Sequence, residues 1–323
     1  MTASMTRAEH RDSFAAVKPR ALAKGARVAV FASASPAEEN RIARGLHELR
    51  SLGFSPEAKF ARESQGYFAA SAESRFQDFV SMLNDSNIAA LFALRGGYGS
   101  NYLLDDLWNQ PPSSPKCLVG YSDVTSLQIL LWQKLRWVTF YGPMAAAGLD
   151  AGANAARGYD KPSLEAAFLG SPSPWNLALN GEAMTLGVTE GVVLGGCLTL
   201  IETALATPWE LDTAGSILLL EDRGMKPWQI DRALMHLTQA GKFRGVKAIV
   251  LGEFPDCEPP VAGSPSAKDV CERILKPLGV PIVFGAAVGH TPRPMLTIPL
   301  GIRARLVAEG SGTLEFLEST VIP

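Results

Sequence analysis

Cys117-Leu118-Val119-Gly120-Tyr121-Ser122-Asp123-Val124-Thr125 is the stretch on which the fold turns. An apolar run ends at Gly120, a serine follows after one intervening residue, and the run from Val124 to Leu135 has helical character. Strand, sharp turn and helix put Ser122 at the carboxyl end of a strand, beside the free N–H groups of the next helix's first turn. That is the local geometry of a nucleophile elbow, and such N–H groups suit a developing oxyanion. The pattern is Gly-Tyr-Ser-Asp-Val, so the Gly-x-Ser-x-Gly motif of α/β-hydrolases is not matched. The bland alternative is that Ser122 simply N-caps the helix.

On the N-terminal side, Arg27 to Ala32 reads as a short apolar strand and Ser33 to Pro36 as a turn. A helix from Ala37 to Leu52 then carries Ile42, Leu46 and Leu49 at helical spacing, and Gly53 ends it. A second helix starts near Ser71 with Phe76, Phe79, Val80 and Leu83 on one face. Ala89 to Ala93 and Val138 to Tyr141 complete the strands of this half. The alternation argues for an α/β fold with a parallel sheet covered on both faces. Arg95-Gly96-Gly97-Tyr98-Gly99-Ser100 follows directly on the Ala89–Ala93 strand. Its glycines let the backbone approach a ligand closely. It could be a phosphate-binding loop, though no established nucleotide motif is present, or an oxyanion-binding nest. It and Ser122 lie at carboxyl ends of strands, the edge where open α/β sheets collect ligands.

Residues 148 to 185 are rich in Gly, Ala, Pro, Ser and Asn and read as a crossing segment with one short helix near Ser163 to Phe168. The expected division is an N-terminal α/β domain over residues 1–150, a connection over 151–185 and a C-terminal mixed α/β domain over 186–323. In the last of these, strands are expected at 191–196, 216–220, 246–251 and 281–284, helices at 198–205, 229–240 and 267–278, and short strands after Leu296.

The chain has 323 residues, 47% apolar and 19% charged, with a formal net charge of −2. This is ordinary for a globular protein and offers no electrostatic case for nucleic acid or an anionic membrane. No run approaches a transmembrane helix. Met1 to Lys24 is polar and reads as a loose leader without a secretory core, which favours the cytoplasm. Cys117, Cys197, Cys257 and Cys271 are scattered and read as buried free thiols, with no metal site.

Ser122 needs a base, because a neutral hydroxyl is a weak nucleophile. Of four histidines, His10 lies in the leader, and His47 and His236 lie within helices; His290 sits in a loop just after a strand. A structural role for His290 remains open. A third group should orient the imidazole. Glu221 ends a strand of five apolar residues and is either a sheet-edge cap or an active-site carboxylate.

The chain resembles the LD-carboxypeptidase family of serine peptidases, which includes the microcin C self-immunity peptidases. The resemblance rests on Leu94-Arg95-Gly96-Gly97-Tyr98-Gly99-Ser100, Gly120 to Thr125, Thr139-Phe140-Tyr141-Gly142-Pro143-Met144, Leu220-Glu221-Asp222 with Ile230-Asp231-Arg232, and Gly289-His290 ahead of Ile298-Pro299-Leu300-Gly301. It runs from about Arg27 to Leu306. It implies a Rossmann-like N-terminal layer and a Ser-Glu-His triad at Ser122, Glu221 and His290, in a cleft between the domains. It also implies an oxyanion hole from backbone N–H groups of Gly96, Gly97 and Asp123. A cytoplasmic homodimer with no metal or cofactor is implied as well. Three departures from the family pattern stand out: Cys197 where Gly-Gly-Asn is usual, Tyr141 where His-Gly-Pro is frequent, and no acidic residue near Met225.

The expected reaction is removal of the C-terminal D-alanine from a murein tetrapeptide, the substrate being a small muropeptide rather than a nucleic acid or a membrane. Candidate substrate contacts are Arg95, Tyr98 and Arg232. Arginine forks suit a free carboxylate, although either arginine could equally serve a structural ion pair. The alternatives are a related peptidase acting on a peptidyl-nucleotide, a non-catalytic muropeptide-binding protein, and a nucleotide-binding α/β protein.

Overall fold

The computed structural model describes residues 15–61, 63–170 and 173–323. His10 and residues 1–14 of the expected leader lie outside them. Residues 15–24 are not loose. Val17 N–H donates to Arg136 O at 2.8 Å, Ala21 N–H donates to Ile322 O at 2.7 Å, and Leu22 is buried. The leader's polar composition hid these backbone pairings.

The first half runs β1 (Arg27–Phe31), α1 (Glu39–Ser51), β2 (Ser55–Glu57), α2 (Ala72–Asn84), β3 (Ala90–Ala93), α3 (Leu104–Asn109), β4 (Cys117–Gly120), α4 (Thr125–Leu135) and β5 (Thr139–Tyr141). All neighbouring pairs among β1 to β5 are parallel. Every residue of β3, β4 and β5 is buried, as unbroken apolar runs in a doubly covered sheet should be. The large apolar side chains among them, such as Leu91, Phe92, Leu118, Val119 and Phe140, each contribute roughly 1.5–3 kcal/mol by leaving water. α2 begins where expected: Ser71 Oγ accepts from Ser74 N–H at 3.1 Å, and Phe79, Met82 and Leu83 face inward.

The second half runs α5 (Lys161–Leu169), β6 (Trp175–Ala178), β7 (Glu182–Thr185), β8 (Gly187–Cys197), α6 (Leu198–Thr203), β9 (Ser216–Glu221), α7 (Pro227–Gln239), β10 (Ala248–Leu251), α8 (Ala267–Leu275), β11 (Ile282–Phe284), β12 (Ile298–Leu300), β13 (Arg303–Ala308) and β14 (Thr313–Phe316). The chain is α/β throughout, with two sheets ordered β12-β5-β4-β3-β1-β2 and β6-β14-β13-β8-β9-β10-β11-β7. β8 to β11 are parallel in the order β8-β9-β10-β11, and the flanking strands are antiparallel.

Three features depart from the expectation. β8 begins at Gly187, ahead of the expected 191, because its first part pairs with β13 and alternates between exposed and half-buried residues. β6 and β7, within the stretch read as a crossing segment, are edge strands without an apolar run. β12 leaves the second half and pairs antiparallel with β5 in the first sheet.

Candidate active site

Ser122 stands beyond the end of β4, after one intervening residue, with φ 62°, a left-handed conformation that a non-glycine residue adopts at roughly 1–3 kcal/mol. Residues 122–124 form a short 3₁₀ turn leading into α4, and no side chain caps either element. The serine is therefore not the helix cap. Its hydroxyl is turned out of the strand by the strained bend, as in a nucleophile elbow.

Gly96 packs on it. A Cβ at Gly96 would fall 2.7 Å from Ser122 Cβ, 2.8 Å from Ser122 Oγ and 3.5 Å from Asp123 N. Only a glycine brings the β3 turn this close to the serine. Asp123 is buried, and its Oδ2 accepts from Ser100 N–H at 2.8 Å, tying the elbow to the far end of the glycine turn. Burial raises the Asp123 carboxyl above its ordinary value, against the Ser100 and Gly99 hydrogen bonds that lower it. The buried Arg75 guanidinium holds the other side, donating to Gly99 O at 2.8 Å, Ala70 O at 3.1 Å and Ser33 O.

Glu221 ends β9 and is fully buried. His290 lies in the loop after β11. Its Nδ1 is 2.9 Å from Glu221 Oε2 and 3.2 Å from Oε1, and its backbone N–H donates to Oε2 at 2.9 Å. Tyr141 Oη donates to Oε1 at 2.5 Å. Burial alone would lift the carboxyl of Glu221, but the imidazole's charge and these hydrogen bonds together hold it below its ordinary value. Burial pulls the His290 imidazole down, and the Glu221 carboxylate more than reverses this, so its pKa lies above the usual histidine value. Tyr121 meets the His290 ring edge-on, with centroids 5.0 Å apart.

Ser122 and His290 line one cavity of ≈ 380 Å³, together with Gly96, Gly97 and Tyr121. Among the described residues no hydrogen bond joins Ser122 Oγ to His290; such contacts commonly tighten only around a substrate. The two other histidines among the described residues take no part: His47 is exposed on α1, and His236 pairs with Glu202 at 3.0 Å.

Of the candidate substrate contacts, Arg95 lines the cavity. Arg232 does not; its guanidinium lies over the Trp228 ring at 5.1 Å. Tyr98 does not either. It is exposed and packs with Tyr67, Phe68 and Tyr102. Three arginines that sequence reasoning missed line the cavity instead: Arg41, Arg157 and Arg223. Arg41 is bonded to Asp150 and Arg223 to Asp256, both at 2.6 Å. Arg157 meets no carboxylate among the described residues; its backbone N–H donates to Pro292 O at 2.9 Å, beside the His290 loop. No local pattern marks Arg157, because only the tertiary fold brings its turn to the cleft. Two departures from the family pattern, Tyr141 and Cys197, both adjoin Glu221: Tyr141 by its hydroxyl and Cys197 by pairing across β8 and β9.

The parallel parts of both sheets thus turn their carboxyl ends to one cleft, with a strained serine on one wall and a carboxylate-bound histidine on the other. That arrangement suits acyl transfer to a serine. The LD-carboxypeptidase N-terminal domain matches residues 28–142, and the LD-carboxypeptidase C-terminal domain matches residues 190–306. The chain belongs to the LD-carboxypeptidase family and is by that membership a serine-type carboxypeptidase. It is 35% identical over 305 residues to a putative carboxypeptidase of Streptomyces coelicolor, covering 92% of this chain and 95% of that one. It is 31% identical over 303 residues to a probable murein peptide carboxypeptidase of Bacillus subtilis, covering 92% and 94%. Its fold is that of MccF in complex with glutamyl sulfamoyl guanosine, with a TM-score of 0.83 at 22% identity, covering 94% of this chain and 99% of that one. No helix among the described residues is long and apolar enough to cross a membrane.

Proposed function

We propose that the protein removes the terminal D-alanine from free murein tetrapeptides, with Ser122 as nucleophile, His290 as base and Glu221 as the group that orients it. The observation that carries this reading is His290 Nδ1 at 2.9 Å from the fully buried Glu221, on the cleft that the left-handed Ser122 also lines. The Nδ1–H donated to Glu221 leaves Nε2 as the acceptor for the serine proton. Ser122 Oγ attacks the carbonyl on the L-configured side of the bond. N–H groups of Gly96 or Gly97 and of Asp123 receive the oxyanion. The imidazolium returns its proton to the leaving amine, D-alanine departs, and water repeats the sequence on the acyl-enzyme.

Arg95 and Arg157 line the cleft without a carboxylate partner among the described residues, and a free terminal carboxylate is the group such guanidinium forks fit. The likeness to the Bacillus subtilis murein peptide enzyme over 92% of the chain supports the same substrate class. The enzyme works in the cytoplasm as a homodimer in this reading, which cell fractionation and light scattering test. D-Alanine release from L-Ala-γ-D-Glu-diaminopimelate-D-Ala, followed by mass spectrometry beside Ser122→Ala, tests the activity. If folded protein leaves the tetrapeptide intact, the assignment moves to another acyl substrate, with peptidyl-nucleotides first in the panel.

A further inference from the structure

We infer that Tyr141 is a positioning residue of the reaction: its hydroxyl joins the carboxylate that supports the base to the backbone of the nucleophile. The inference rests on the Ser122, His290 and Glu221 assignment above.

Tyr141 ends β5 and is fully buried. Its Oη donates to Glu221 Oε1 at 2.5 Å and accepts from Ser122 N–H at 3.4 Å. Glu221 Oε2 receives the backbone N–H of His290 at 2.9 Å, and Nδ1 of the same residue lies 2.9 Å away. The phenol is therefore the donor that occupies the carboxylate's other oxygen. A buried carboxylate short of one donor would turn or take up a proton. Either change would swing the imidazole away from Ser122 or neutralise its support.

The phenol also bridges the two sheets. Ser122 and Tyr141 follow or end strands of the first sheet, and Glu221 ends a strand of the second. Through one oxygen, the distance between elbow and carboxylate is tied to a rigid ring. The ring's seat is built for it. Gly196, at φ 144°, lies against it, and a Cβ there would fall 2.9 Å from Tyr141 Cε2 and 2.9 Å from Thr125 Oγ1. Thr125 Oγ1 in turn accepts from Cys197 N–H at 3.2 Å. Among the described residues, Tyr121, Cys197, Asp222 and Arg223 lie around the Glu221–His290 pair, and Arg41, Arg95, Arg157 and Asp256 line the cavity that His290 faces. Asp222 is occupied by Thr199, through N–H at 2.8 Å and Oγ1 at 2.7 Å. Among the described side chains, Tyr141 and His290 are the two that hydrogen-bond Glu221.

Without the hydroxyl, the negative charge on Glu221 is less dispersed, and the pair holds its shared proton more tightly. The sign is the same whether that proton is assigned to His290 or to Glu221. The test is the rate at which a fluorophosphonate phosphonylates the full-length protein, measured against pH and mapped to its residue by mass spectrometry. The probe needs the nucleophile and its base but no knowledge of the substrate. Three proteins are compared: wild type, Tyr141→Phe, and protein with 3-fluorotyrosine at position 141, whose more acidic phenol is a stronger donor. In Tyr141→Phe the acid limb moves up by about half a unit or more, and the plateau falls about tenfold. With 3-fluorotyrosine the limb moves down and the plateau holds within about twofold. If Tyr141→Phe fails to fold, the fluorotyrosine protein decides alone. Ser122 labelling with the same limb and plateau in all folded proteins overturns the inference and leaves the triad standing. Absence of labelling at Ser122 in the wild type overturns the triad, and this inference with it.

Discussion

At the scale of single residues, the left-handed backbone of Ser122 makes a stability prediction that a helix cap would not. Glycine normally loses to alanine by about 0.5–1 kcal/mol through chain entropy. At φ 62° the order reverses: Ser122→Gly is expected to be more stable than Ser122→Ala by about 1 kcal/mol in urea unfolding. An alanine variant more stable than the glycine variant would mean that the bend is relaxed in solution. His290 makes a second prediction. Burial lowers its pKa, but the Glu221 carboxylate raises it further, so its net value lies above 6.5. A base must be unprotonated, so kcat/KM falls on the acid side through a limb above about 6.5. Glu221→Gln removes the charge that lifts the imidazole, leaving burial to lower it. The limb then moves down while the rate falls by roughly 10²–10⁴. A limb that does not move on this change would exclude Glu221 as the partner. Much of this scale was legible in the sequence, because few histidines compete and Ser122 and Glu221 each stand at the end of an apolar run. Tyr141 was legible only as a departure from a pattern. Its hydroxyl meets Glu221 across 80 positions of chain, and no local spacing records such a contact.

At the scale of elements, the glycine turn after β3 and the elbow after β4 form one unit. Gly96 sits on Ser122, and the Asp123 side chain holds Ser100. Gly96→Ala drives a methyl into the Ser122 side chain. It should lower kcat at least about a hundredfold while destabilising the fold by about 1–3 kcal/mol. Steady-state kinetics and thermal unfolding read both effects, and a variant with wild-type kcat would show that the turn stands off the serine. Asp123→Ala leaves Ser100 N–H buried without its acceptor, an expected loss of about 1–3 kcal/mol. Because the loosened turn carries the proposed oxyanion donors, kcat should fall more than KM changes. Buried strands and amphipathic helices were readable here because apolar runs and helical spacing mark them directly. The edge strands β6 and β7 and the exposed first part of β8 were not, since none of them has an unbroken apolar run to betray it.

At the scale of the whole molecule, β12 returns from the second half to pair with β5. Sequence gives no hint of this, as three residues of apolar strand carry no address. We propose folding units over 1–150 and 186–323 joined by 151–185. With β12 shared between them, calorimetry should record one cooperative transition for the full chain, and residues 1–150 alone should unfold at lower denaturant because β5 keeps β4 but loses its β12 partner. Two separate transitions would make the shared strand energetically idle. If the serine of the elbow cuts before a terminal D-residue, as proposed, the configuration of the last residue decides turnover. The tetrapeptide ending in D-alanine and its isomer ending in L-alanine are given to wild type and to Ser122→Ala, and the released alanine is measured. Turnover of the D-terminal peptide by wild type alone is expected, with the isomer and the variant at background. Equal cleavage of both isomers, or release by Ser122→Ala, would contradict the proposal.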